Sequence, residues 1–158
     1  MGLRRREERM QLVLAVQPRD LGLALQLYLD AEPGLLVVGT VTEAASLRAL
    51  LRTAQPDLII LDWDLPGYAA IHLLAEIKRL RSSPQIIVLG GDKGVRQEAL
   101  AAGADAFVVS GDSPADLMAA IRESRERQRD DIGTAAALRG GTPQAAARGQ
   151  ILDGTEEE

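Results

Sequence analysis

Five short apolar runs punctuate this chain, and each is followed by a stretch that reads as a helix. The runs are LVLAV (12–16), LLVVGTV (35–41), DLIILD (57–62), QIIVLG (85–90) and DAFVV (105–109). Runs this short and this continuously apolar suit strands buried on both faces. The intervening stretches carry helix signals. Asp20 is placed to cap LGLALQLYLDA, which stops at Glu32-Pro33-Gly34. Thr42 and Glu43 open a second helix, with Leu47, Leu50 and Leu51 at helical spacing, ended by Gln55-Pro56. Pro66-Gly67 turns into a third, reaching about Arg81 and broken by Ser82-Ser83-Pro84. Gly91–Gly94 leads into a short fourth helix that ends at Gly103. Asp112-Ser113-Pro114 starts the last one, with proline in its first turn. It sets Leu117, Met118 and Ile121 on one face, then dissolves into the charged run RESRERQRDD.

Strands alternating with helices predict an α/β fold: a five-stranded parallel sheet, doubly wound, with right-handed crossovers. In such sheets the functional crevice lies beyond the carboxyl ends of the strands. The length of 158 residues corresponds to about one domain. We place that domain at residues 11–128, between a charged N-terminal arm (1–10) and a flexible C-terminal tail (129–158). The tail is rich in Ala, Gly and Thr, ends in three glutamates, and carries a weak helix signal at Thr134–Leu138. On this length no attached output domain is expected.

Composition narrows the chemistry. The absence of cysteine excludes disulfides, thiolate metal sites and cysteine nucleophiles. One histidine, His72, excludes multi-histidine metal sites. Aromatics at 3% are too few for base-stacking platforms, and a net charge of -5 argues against a nucleic-acid partner. No apolar run approaches a membrane span, so no membrane partner is expected.

The strand ends then supply the candidate site. After the first strand come Gln17, Pro18, Arg19 and Asp20. After the third come Asp62, Trp63, Asp64, Leu65, Pro66 and Gly67. After the fourth come Gly90, Gly91 and Asp92, and after the fifth Ser110, Gly111 and Asp112. Asp62 follows an apolar run and sits at the lip of the sheet, where a carboxylate must be solvated or paired. It reads either as a functional acid or as a loop acid capping its own turn. Trp63 is expected to be fairly exposed, covering the pocket or anchoring a partner. His72 has apolar neighbours and reads as a helix-surface residue. The glycines after the fourth strand match no phosphate-binding motif.

These residues resemble the receiver domain of two-component response regulators over roughly residues 10–125. The resemblance is carried by Pro56-Asp57-Leu58-Ile59-Ile60-Leu61-Asp62, by Leu65-Pro66-Gly67, and by Ala102-Gly103-Ala104-Asp105-Ala106-Phe107. It implies the flavodoxin-like receiver architecture, with Asp62 equivalent to the phosphoacceptor and Phe107 to the switch aromatic. The rest of the pocket departs from the family. Two acids that would hold magnesium are replaced by Gln17 and Pro18, so the Mg²⁺ site is expected to be lost and no cofactor remains. Gly90 replaces a Thr or Ser, and Ser110 replaces a Lys. Phosphoryl transfer depends on neutralising charge on the transferring oxygens, and these replacements remove that neutralisation. The expectation is a cytoplasmic pseudo-receiver of bacterial type, not an enzyme, acting through a signalling protein such as a histidine kinase or an output protein. Trp63, Arg96 and Arg122 mark candidate interaction surface, and the fourth-helix, fifth-strand and fifth-helix face reads either as a solvated charged face or as a surface for a homodimer or another partner. Two alternatives stand beside it: a working phosphoacceptor with an unorthodox pocket, and the receiver part of a transcriptional regulator without its DNA-binding domain.

Overall fold

In the computed structural model, residues 9–111 and 113–140 are described, with side chains described as far as Asp130. The elements run β1 (Met10–Ala15), α1 (Arg19–Asp30), β2 (Leu35–Val41), α2 (Ala44–Leu50), β3 (Leu58–Asp62), α3 (Ala70–Lys78) and β4 (Gln85–Gly90). A single 3₁₀ turn (Lys93–Val95), α4 (Arg96–Ala101), β5 (Ala106–Val109) and α5 (Pro114–Gly140) follow. The five strands form one parallel sheet in the order β2-β1-β3-β4-β5.

Burial follows that order. Leu12–Ala15, Leu58–Leu61 and Ile86–Val88, in the three inner strands, are 0% exposed. The edge strands β2 and β5 are mostly half-buried. One core packs α2, α3 and α4 against one face of the sheet through Leu47, Leu73, Leu74, Ile77 and Ala99. The other packs α1 and the start of α5 against the opposite face through Leu29, Leu117, Met118 and Ile121. Each fully buried Leu or Ile contributes roughly 1.5–3 kcal/mol, so the inner strands supply most of the drive to this arrangement.

Two aspartates staple the sheet at its amino end. Asp57 accepts the Gln11 N–H at 2.8 Å, and its own N–H donates to the Gln11 carbonyl at 2.8 Å. Asp105 repeats the device against β4. It accepts the Ile86 N–H at 2.8 Å and Lys78 Nζ at 2.8 Å, while its own N–H donates to the Ile86 carbonyl. Each extends a ladder by one pair where the strand itself has not begun.

Several boundaries differ from the sequence reading. Met10 is buried in β1, so the domain takes in one residue assigned to the arm. Residues 1–8 and 141–158 lie outside the described residues. Asp20 makes no cap: Pro18 holds the cap position, and Asp20 sits in the first turn, where its charge suits the helix dipole. Pro114 does open α5, with Ser113 Oγ accepting the Ala115 N–H at 3.2 Å. The largest difference is that α5 does not dissolve in the charged run but continues to Gly140, through residues assigned to a flexible tail. Arg, Glu, Gln and Ala dominate that stretch and are strong helix formers, so the backbone stays helical without an apolar stripe. The chain divides into a unit closing at Ile121 and a second beginning at Arg122. Within the second, Arg127 Nη2 donates to Ser124 Oγ at 3.2 Å.

The staples predict separable losses. Asp57→Ala and Asp105→Ala should each lower unfolding free energy by about 1 kcal/mol in urea titrations. They act on different strand pairs, so the double variant should equal the sum within about 0.5 kcal/mol.

Candidate functional site

The strand order reverses its winding between β1 and β3, and a crevice opens beyond their carboxyl ends. Pairing of Ala15 with Leu61 brings Gln17 beside Asp62 there. Asp62, the last residue of β3, is half-buried. Its Oδ2 accepts the Gln17 N–H at 3.3 Å and its Oδ1 accepts the Asp64 N–H at 2.9 Å. Gln17 Nε2 donates to the Asp64 carbonyl at 2.9 Å. Both oxygens of the carboxylate are therefore engaged by main-chain donors, and the glutamine amide ties the two sides of the crevice together. The next residue, Pro18, is exposed, and its carbonyl accepts the Leu21 and Gly22 N–H groups as α1 begins.

Among the described residues no three His, Asp or Glu side chains come together as a metal site. At the crevice Asp62 supplies one carboxylate, and the Asp64 carbonyl is already taken by Gln17. Hard divalent cations need several oxygen ligands, preferably anionic. Asp20 and Asp64 are exposed, and Asp92 turns back to accept the Gly94 N–H in its own loop.

The far side of the crevice is built around Gly90. Phe107 on β5 is 7% exposed. A Cβ placed on Gly90 would stand 2.6 Å from both Cε1 and Cζ of the Phe107 ring and 2.8 Å from Val95 Cγ2. The ring thus lies over the strand end in space that any side chain at position 90 would claim. Ser110 lies beyond β5, exposed, and donates its N–H to the Gly90 carbonyl at 2.7 Å, extending the β4–β5 ladder by a pair.

Trp63 corrects the expectation of an exposed aromatic. It is half-buried and packs against the core on the α2–α3–α4 side, while its N–H donates to the Leu89 carbonyl at 2.8 Å. The β3–β4 ladder continues past Asp62, so Trp63 is held to the sheet and points away from Asp62's face. Arg96 is exposed on α4, and Arg122 is exposed in the second unit. His72 is exposed on α3, as the sequence suggests.

Sequence reasoning missed one surface cluster. Arg48 on α2 stands 5.2 Å over the Tyr68 ring and bonds Glu76 Oε1 at 2.8 Å, while the Tyr68 and His72 rings lie 5.9 Å apart. Tyr68, His72 and Glu76 fall four residues apart, a readable helical stripe, but Arg48 joins them only through the packing of α2 on α3. The pair borders a groove of about 260 Å³ between those helices, lined by Leu51, Leu73, Ile77 and Leu80.

The response regulator receiver domain profile matches residues 19–122. The chain is 32% identical over 126 residues to the phosphate regulon transcriptional regulatory protein PhoB of Rhizobium meliloti, covering 75% of this chain and 54% of that protein. It is 36% identical over 111 residues to a protein-glutamate methylesterase/protein-glutamine glutaminase of Anaeromyxobacter dehalogenans, covering 63% of this chain and 31% of that one. The chain thus spans about half or less of these relatives' lengths. Among solved structures, the response regulatory domain of protein mrkE from Klebsiella pneumoniae superposes with a TM-score of 0.70 at 15% identity, covering 77% of this chain and 99% of that one.

The contact between Gly90 and Phe107 predicts a specific coupling. Gly90→Ala should destabilise the protein by about 1–3 kcal/mol through overpacking. In Phe107→Leu the same substitution should cost at least about 1 kcal/mol less, read from a double-mutant cycle in denaturant.

Proposed function

This chain belongs to the response regulator receiver domain family, and we propose that it works there as a pseudo-receiver, signalling by protein contact without normal phosphorylation of Asp62. Receiver domains of this family act through kinases or output domains. The partner proposed here is such a signalling protein, in the cytoplasm, and the chain is proposed to have no catalytic activity of its own.

The observation that carries the reading is the Phe107 ring seated on Gly90. The resemblance to receiver domains implies a Thr or Ser at this strand end to bond the phosphoryl oxygen, with Phe107 in the position of the switch aromatic. Here the polar side chain is missing and the ring already fills its place. The β4–β5 surface is then held in one packed arrangement without a chemical trigger.

The opposite wall supports the same conclusion. A phosphoryl group on Asp62 would be carried by one oxygen, which already accepts an N–H from Gln17 or from Asp64. Its oxygens would meet the amide of Gln17, the ring of Pro18 and the hydroxyl of Ser110, none of which carries positive charge. Removing even one preorganised electrostatic partner costs about 10²-fold or more in rate. We propose that the donor set also does not hold Mg²⁺, since one carboxylate with both oxygens engaged is a poor site for a hard cation.

The match to half of a transcriptional regulatory protein favours a second reading, in which this sequence is the receiver part of such a regulator. The two readings differ in what the chain is attached to, not in the pocket. A working phosphoacceptor at Asp62 is the reading that the pseudo-receiver proposal opposes.

Acetyl phosphate with magnesium should give no stable, stoichiometric labelling of the protein. Labelling that disappears in Asp62→Ala would overturn the proposal. The single tryptophan, Trp63, directly follows Asp62 in the chain. Its fluorescence should be indifferent to millimolar Mg²⁺ in the native protein, and should respond once Gln17→Asp and Pro18→Asp are introduced together.

A further inference from the structure

Helix α1 reads RDLGLALQLYLD, with leucine at every second position from 21 to 29. A period of two cannot be buried on one side of a helix whose period is 3.6. The structure resolves the conflict by choosing a face. Gly22 and Leu29 are buried, and a Cβ at Gly22 would lie 2.9 Å from Thr40 Cγ2, so this glycine seats the helix directly on β2. The opposite face is left to solvent: Leu23 is 47% exposed, Leu27 76% and Tyr28 43%.

Isolated exposed leucines are ordinary. These are not isolated, because Leu23 and Leu27 are one turn apart and Tyr28 flanks them. The stripe also has charged ends of opposite sign. Arg19, exposed, lies four residues before Leu23, and Asp30, exposed, lies three residues after Leu27. Asp30 is held in place by the Val37 N–H, which donates to its Oδ1 at 3.3 Å. On α4, by contrast, Leu100 is 38% exposed among Arg96, Gln97 and Glu98, so that surface offers no comparable apolar line.

We propose that this line is where a second copy of the chain docks, α1 against α1 in antiparallel orientation. A two-fold axis between Leu23 and Leu27 sets each Leu23 against the partner subunit's Leu27. The same rotation sets each Arg19 against the partner subunit's Asp30, twice per dimer, in a self-complementary contact. It also sets the two helix dipoles antiparallel, each amino end beside the other helix's carboxyl end. A parallel pair would place Arg19 on Arg19 and Asp30 on Asp30, so the charges select the direction. The proposal rests on α1 alone and is independent of the reading of the Asp62 pocket.

Sedimentation equilibrium on the full chain tests it. The native protein should show a reversible monomer–dimer equilibrium. Leu27→Arg, at a site exposed enough to leave the fold intact by circular dichroism, should weaken it by about tenfold or more. Leu27→Gln should act in the same direction. Arg19→Asp and Asp30→Arg should each weaken association, and the double exchange should restore it, because the antiparallel pairing is then rebuilt with its signs reversed. A native protein that stays monomeric up to roughly 1 mM, the weak end of specific association, would overturn the proposal, including the case where another segment of the chain covers the stripe. A dimer indifferent to Leu27→Arg but lost on Arg96→Glu would place the contact on α4 and overturn it as well. Loss in both single charge exchanges without recovery in the double would overturn the antiparallel arrangement.

Discussion

The pairing of β1 with β3 is the contact on which the rest of the molecule depends. Leu12 through Ala15 lie beside Leu58 through Leu61, all of them fully removed from solvent. Strands buried on both faces must be covered on both faces. That requirement sends α1 and the start of α5 to one side, and α2, α3 and α4 to the other. The sheet reverses its winding between these two strands, so the connections that follow them leave toward opposite faces and the crevice lies between. Register then decides its contents: Gln17 and Asp62 meet because Ala15 pairs with Leu61.

The two walls of the crevice are each internally consistent. On one, a glutamine side chain spans to the Asp64 carbonyl while the neighbouring main-chain groups satisfy Asp62. On the other, a glycine and an aromatic share one volume, and neither could be enlarged alone. A pocket that had merely lost polar groups would be left with unsatisfied atoms or empty space, both of which are costly. Here both oxygens of Asp62 are engaged, and the Phe107 ring occupies the space beside Gly90. That packing favours a settled arrangement of the strand ends over a decayed one.

Much of the fold was legible before any coordinates. The runs at 35–41 and 85–90 coincide with β2 and β4, and the others differ from their strands by a residue or two. Apolar continuity bounded by Pro and Gly is a local signal, and both-face burial makes it strong. The candidate site was legible to the extent that topology places function at strand ends, and the resemblance to receiver domains then picked out Gln17, Pro18, Asp62, Gly90 and Ser110 among them. Other features were less visible. Trp63 looked exposed because the continuation of the β3–β4 ladder past Asp62 is a property of the partner strand. The length of α5 was underestimated because residues 122–140 lack apolar periodicity, and helix propensity alone carries them. In the Arg48–Tyr68–Glu76 cluster the spacing of Tyr68 and Glu76 is readable locally, but the partnership with Arg48 comes from the packing of separate helices and has no local trace.

The sequence by itself determined the class of fold, the order of its elements and the chemistry absent from the pocket. Those follow from local burial patterns and from which side chains exist at the strand ends. Only the tertiary structure decided what fills the space they leave. That Phe107 lies against Gly90, and that Gln17 closes on Asp64, depends on distances between separate strands. Which leucines of α1 remain in solvent was decided in the same way. An alternating leucine pattern is compatible with several buried faces, and the close seat of Gly22 on Thr40 selects one of them.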